Sequence, residues 1–137
     1  MASIAVANIA LGWGLVVLIW LVQVIVYPGF SRIPRQGFHT YHRWYTLRIG
    51  AIVTPLMVGE VIAVAAWIWL RPHAWSAYLS AAAVVLVWGS TLVLQVPIHR
   101  RLQHGKDADL IRRLVATNWI RTVAWSAKAV VVTTAFH

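Results

Sequence analysis

Four apolar runs take up most of this chain and constrain its fold more than any other feature. They extend from Ile4 to Tyr27 without a charge, from Ile49 to Leu70 with only Glu60, from Ala74 to Ile98 without a charge, and from Leu114 to Phe136 interrupted by Arg121 and Lys128. About 20 apolar residues in a helix are long enough to cross a hydrocarbon core of ~30 Å. Only 11% of the 137 residues are charged, against about 25% in an ordinary soluble domain, so a water-facing surface could not be covered. Helices satisfy their backbone polar groups internally, as lipid requires. The expected fold is all-α: an integral membrane four-helix transmembrane bundle, one domain over residues 1–137, with spans at about 4–27, 46–70, 74–98 and 114–136.

The first run has no basic start and exceeds the ~7–15 apolar residues of a signal-peptide core, so it reads as a span. The absence of cysteine excludes disulfides, thiolate metal ligands and a cysteine nucleophile.

A net charge of +9 could point to nucleic acid, but its distribution points to a membrane. Arg32, Arg35, Arg43 and Arg48 follow the first span, and Arg100, Arg101, Lys106, Arg112 and Arg113 precede the fourth. The connection between spans two and three has only Arg71. Basic residues concentrate on cytoplasmic loops. Both long loops are therefore expected in the cytoplasm and both termini outside, as in a bacterial-type inner membrane. Anionic lipid accounts for the excess charge without a nucleic-acid partner.

Local signals set the connections. The short "RPHAW" turn makes spans two and three an antiparallel hairpin. "YPGFSRIPRQG" reads as an irregular segment, with a helix restarting near "FHTYHRWY" and Pro55 kinking span two. Gly105 breaks the chain, and Asp107 or Asp109 can cap the helix that enters span four. Trp44, Trp67, Trp69, Trp75 and Trp119 lie near span ends, where interfacial indoles collect.

Helical spacing assigns one polar and aromatic stripe to each span: Val16, Trp20, Gln23 and Tyr27; His42, Thr46, Ile49, Val53, Leu56 and Glu60; Trp88, Thr91, Gln95 and His99; Asn118, Arg121, Trp125 and Lys128. Lipid cannot solvate such faces, so they should turn inward. Depth is the second coordinate. Gln23, Gln95, Arg48, Asn118 and Arg121 fall within roughly 10 Å of the cytoplasmic boundary at the helical rise, forming a polar chamber with His99 and Tyr27 at its mouth. Glu60 and Lys128 both lie about 20 Å deep. Two roles stand for Glu60: a partner of Lys128 locking spans two and four, or a working proton acceptor or anchor. His39 and His42, three residues apart, could share a metal with His99. The other reading is interfacial histidines bonded to backbone or headgroups, and no cofactor is called for by the pattern. A haem would need histidines deep on facing helices.

The segment "VPIHRRLQHGKDADLIRRLVATNWIRTVAW" resembles the DUF1772, or anthrone-oxygenase-like, family of small four-span membrane proteins. Pro97, Leu102, Gly105, Asn118, Arg121 and Thr122 occupy the places of its short motif. The chain departs at His99, where the family carries asparagine, and at Trp119, which follows Asn118 instead of preceding it. The resemblance covers about the last third of the chain. It implies oxidation of a flat phenolic or anthrone-like substrate by oxygen, which requires a base and a cation for the resulting enolate. His99 would be the base and Arg121 the oxyanion partner. Asn118 and Gln95 would orient the ring, and Trp88 and Trp125 would stack on it.

These readings lead to a membrane-embedded oxidoreductase acting on a lipophilic, aromatic small molecule in a chamber open to the cytoplasmic side. Its expected partners are the lipid bilayer, that molecule and a second copy of the chain. The competing readings are a proton-coupled small-molecule transporter using Glu60, and an accessory subunit of a larger membrane complex.

Overall fold

The computed structural model describes residues 1–137 and is helical from end to end, with no strand. We number its long helices α1 (Ala2–Arg32), α2 (Arg35–Leu70), α3 (Trp75–Leu102) and α4 (Ala108–Phe136). Helices consecutive in the chain pack side by side, and α4 closes the ring against α1. The first three are long and apolar enough to cross a membrane. Helix α4 falls outside that set although it is 29 residues long. Its first turns carry the exposed Asp109, Arg112 and Arg113, and its inner face Arg121 and Lys128, which the bundle encloses.

Outward side chains are apolar on every helix, among them Val17, Leu47, Ile62, Val85, Val93 and Val123. The main core runs through Leu15, Ile19, Phe30, Phe38, Leu114 and Trp125. A smaller cluster at the other end joins Trp67, Ala77 and Val132.

Several local expectations are met. Asp107 caps α4, its Oδ1 accepting from the backbone N–H of Asp109 at 2.9 Å and of Leu110 at 3.1 Å. Gly105, at φ +142°, supplies the break before it in a conformation a side chain would resist. Arg71 to Ala74 forms the tight turn between α2 and α3.

Others are corrected. The non-helical break in α2 lies at Gln36 and Gly37, where glycine adopts φ +90°, inside the helix that already restarts at Arg35. The "YPGFSR" stretch remains helical as far as Arg32, with Pro28 following a π-helical turn inside α1. Trp67 is buried against Phe136, with ring centroids 4.5 Å apart, and is no interfacial anchor.

A pair of wide turns had no counterpart in the sequence reading. Helix α1 contains a π-helical segment at Val22–Val26 and α3 another at Thr91–Gln95, each ending two residues before a proline, Pro28 and Pro97. Each proline removes a donor from the preceding turn. Such bulges re-aim side chains and recur at functional sites. Here they carry Gln23, Thr91 and Gln95, with Tyr27 and His99 close behind.

Candidate functional site

The inner face of α4 is the scaffold of the site. Asn118, Arg121, Trp125 and Lys128, at helical spacing, are all buried, as the stripe predicts. Arg121 is the centre. Its Nε and one terminal nitrogen grip Asn118 Oδ1 at 2.9 and 2.6 Å, and the same terminal nitrogen donates to the Tyr27 hydroxyl at 3.1 Å. The other terminal nitrogen reaches Thr91 Oγ1 at 3.3 Å.

Asn118 is held in turn by Gln23, whose Oε1 accepts from Asn118 Nδ2 at 2.9 Å and from the Thr122 hydroxyl at 3.0 Å. Gln23 Nε2 donates to the Val115 carbonyl at 3.0 Å. Gln23 and Asn118 therefore act on Arg121 from behind and do not face the open space. The three residues of the family-like motif that lie in α4, Asn118, Arg121 and Thr122, are thus one hydrogen-bonded unit.

Every partner of Arg121 is neutral. The chain has three acids: Glu60 is taken by Lys128, and Asp107 and Asp109 lie at the start of α4. A guanidinium is charged at any accessible pH. Its charge here, only 7% exposed, has no counter-ion within the protein.

That cation opens onto a cavity of about 410 Å³ between α1, α2 and α3, floored by Trp125. Leu18, Ile19, Ile49, Val53 and Met57 make its apolar walls, and Tyr27, Tyr45, Trp88, Gln95 and His99 reach its surface. The Trp88 indole N–H and Gln95 Oε1 are buried and make no hydrogen bond, although Gln95 Nε2 donates to Thr117 Oγ1 at 2.8 Å. The cavity thus offers one uncompensated cation in apolar surroundings. Thr46, Gly50 and Thr54 of α2 face Leu92, Val96, Arg100 and Gln103 of α3 across its rim.

His99 is not a free base. Its Nε2 lies 3.0 Å from the Tyr27 hydroxyl, and its Nδ1 lies 3.0 Å from His42 Nε2. Both ring nitrogens are engaged within the protein. His42 is fully buried inside the bundle, packed on Phe38 with ring centroids 5.6 Å apart. It is a site residue that the sequence reading placed only among metal candidates. The signal for it was its position at the head of the inward stripe of α2. His39 points outward, and no group of three or more histidines, aspartates or glutamates converges anywhere in the structure. His39, His42 and His99 are therefore not arranged as a ligand set.

Glu60 and Lys128 meet as their depths predict. Glu60 Oε1 lies 2.9 Å from Lys128 Nζ, both side chains being fully buried, and Oε2 accepts from the Trp125 indole at 2.9 Å. The lysine approaches off the hydrogen-bond axis, so the contact is an ion pair without an aligned hydrogen bond. Neither residue lines the cavity. Glu60 touches the site only through Trp125, whose ring it helps to orient, so neither Glu60 as a catalytic residue nor Lys128 as a binding residue stands at the cavity.

Arg48 is also displaced. It is exposed and lies over the Trp44 ring, 5.1 Å from its centroid, on the outside of α2. Trp20 is 42% exposed and bonds the Ser126 hydroxyl at 3.1 Å across the outer α1–α4 seam. At the chain's charged end, Lys106 Nζ donates to the carbonyls of Ser31 and Ile33 at 2.8 and 2.7 Å, joining the two long connections beneath the site.

Comparisons with models of known protein families, with curated proteins and with solved structures return no match to this chain.

Proposed function

We propose that the chain is a membrane-embedded, oxygenase-like enzyme acting on a lipophilic aromatic molecule with an acidic hydroxyl, a phenol or the enol of an anthrone. The observation that carries this reading is the buried charge of Arg121. Removing the counter-charge from a buried ion is costly, and an anion formed from the bound molecule would supply it. The apolar walls suit a lipophile, and Trp88, Trp125 and Tyr45 suit a ring.

Tyr27 is the group placed to exchange the substrate proton, with His99 behind it, while Arg121 holds the oxyanion. For an anthrone, dioxygen is the oxidant. The ring methylene becomes a carbonyl, one oxygen atom enters the product, and the other leaves as water with the two methylene hydrogens. No metal enters this scheme.

In this reading all four helices span the bilayer, α4 included, since its outer face carries Val123 and Val130. The long basic connections lie in the cytoplasm and the termini outside. The transporter reading loses its support, because Glu60 is held by Lys128 and Trp125 away from the cavity.

Oxygen uptake with anthrone, using purified protein in nanodiscs, tests the proposal. The unmodified protein should consume oxygen and form the quinone, and folded Arg121→Gln should not. Turnover retained in Arg121→Gln, or none in the unmodified protein, would overturn it.

A further inference from the structure

One direction of the hydrogen bonds around Tyr27 satisfies the hydroxyl proton within the protein. Arg121 can donate and never accept, so the Tyr27 oxygen accepts from it. The hydroxyl's other protein partner is His99 Nε2, and its own proton has a partner within the protein when it points there; turned to the cavity, it would leave His99 Nε2–H to donate instead. With the hydroxyl pointing to His99, that residue keeps its proton on Nδ1 and donates it to His42 Nε2. His42 consequently carries its proton on Nδ1, an atom that is buried and has no partner.

This chain draws one residue from each helix: Arg121 from α4, Tyr27 from α1, His99 from α3 and His42 from α2. It begins at the cavity wall, which Tyr27 and His99 line, and ends at a residue that the cavity does not reach. Phe30 and Phe38 pack on His42, with ring centroids 5.5 and 5.6 Å away. His39, one turn earlier on α2, is exposed. An orphaned donor in a buried network calls for an explanation, and an outlet is the explanation that fits its position.

The geometry points to a directed proton relay from the cavity through Tyr27 and His99 to His42, with His42 as the outlet toward the surface beside His39. The relay rests on the proposed substrate, because it needs an acidic hydroxyl at its inner end. The substrate O–H breaks and its proton bonds to the Tyr27 oxygen. The Tyr27 proton moves to His99 Nε2, the His99 Nδ1 proton to His42 Nε2, and the His42 Nδ1 proton to surface water or His39. One proton leaves for each anion formed, and the relay itself gains no charge. Passage in reverse returns a proton to the oxygen that leaves as water and restores every tautomer without a ring flip.

Nitrogen-15 NMR of histidine-labelled protein in nanodiscs, assigned with single-site variants, tests the direction without any ligand. His42 and His99 should both carry the proton on Nδ1. Protonation on Nε2 at either residue in the resting protein would overturn the relay. Tyr27→Phe removes one hydroxyl and little else. It should let His99 shift toward the Nε2–H form, and an unchanged His99 would show that Tyr27 does not set the tautomer.

Addition of 1-naphthol tests transfer, since its anion has its own absorbance band. Formation of the anion should accompany a switch of both histidines to Nε2–H. Anion formation with both tautomers unchanged would refute the relay and leave the proposed substrate class standing. No binding of naphthol would count against that substrate class, and the ligand-free spectrum would still decide the direction of the chain.

Discussion

Replacing Glu60 by glutamine removes one charge from the interior and almost no volume. Lys128 Nζ beside Oε1 and the Trp125 indole on Oε2 define what is lost. Opposite unit charges 2.9 Å apart attract by about 6 kcal/mol at an effective dielectric near 20. Desolvation offsets much of that, but it falls on both ions whether or not they meet. Glu60→Gln leaves Lys128 fully buried without a counter-charge, which should cost about 3–5 kcal/mol. The glutamine can still accept from the Trp125 indole, so the cost reports the charge. Lys128→Met should cost a similar amount by stranding Glu60. The double variant removes both ions together and should recover most of the loss. Unfolding in mixed micelles with dodecyl sulfate, followed by tryptophan fluorescence, measures all three. Independent sites add to within about 0.5 kcal/mol. Additive losses in the double variant would show that the pair contributes nothing by being a pair, and the reasoning from matched depth would fail.

Other variants separate positions that resemble one another in sequence. Gln23→Leu removes the acceptor of Asn118 and Thr122 and should cost about 1–3 kcal/mol through newly unsatisfied buried groups, read in the same unfolding assay, with anthrone turnover reduced as Arg121 loses its support. Arg48→Ala should leave both stability within about 0.5 kcal/mol of the original and turnover unchanged, because the side chain lies outside the bundle. Asp107→Ala should lower stability by about 1 kcal/mol through loss of the α4 cap, as measured by thermal unfolding.

How far the sequence discloses this site depends on which coordinate a residue needs. Asn118, Arg121, Trp125 and Lys128 were legible because α4 is a regular helix, and a spacing of 3, 4 and 3 keeps them on one face. Glu60 and Lys128 could be paired from depth, since a buried charge tolerates few alternatives. Depth alone misplaced Arg48. It lies level with the chamber but off the inward stripe of His42, Thr46 and Ile49, and so faces outward. Trp20 sits at the edge of its stripe, where the large indole finds Ser126 outside the bundle.

His99 looked like a base because a sequence shows the residue type without its partners; its two occupied nitrogens are a property of three helices meeting. The wide turns at Val22–Val26 and Thr91–Gln95 were signalled only by Pro28 and Pro97 at the ends of apolar runs. A proline there is equally compatible with an end of the helix, and packing decides that it continues.

The central claim is that the uncompensated charge of Arg121 holds an anion in an apolar cavity. Absorbance titration of the protein in nanodiscs with 1-naphthol at neutral pH tests it most directly. The unmodified protein should bind the naphthol and show the band of its anion, and folded Arg121→Gln should bind more weakly and show only the neutral form. Equal affinity and the same spectrum in both proteins would contradict the claim.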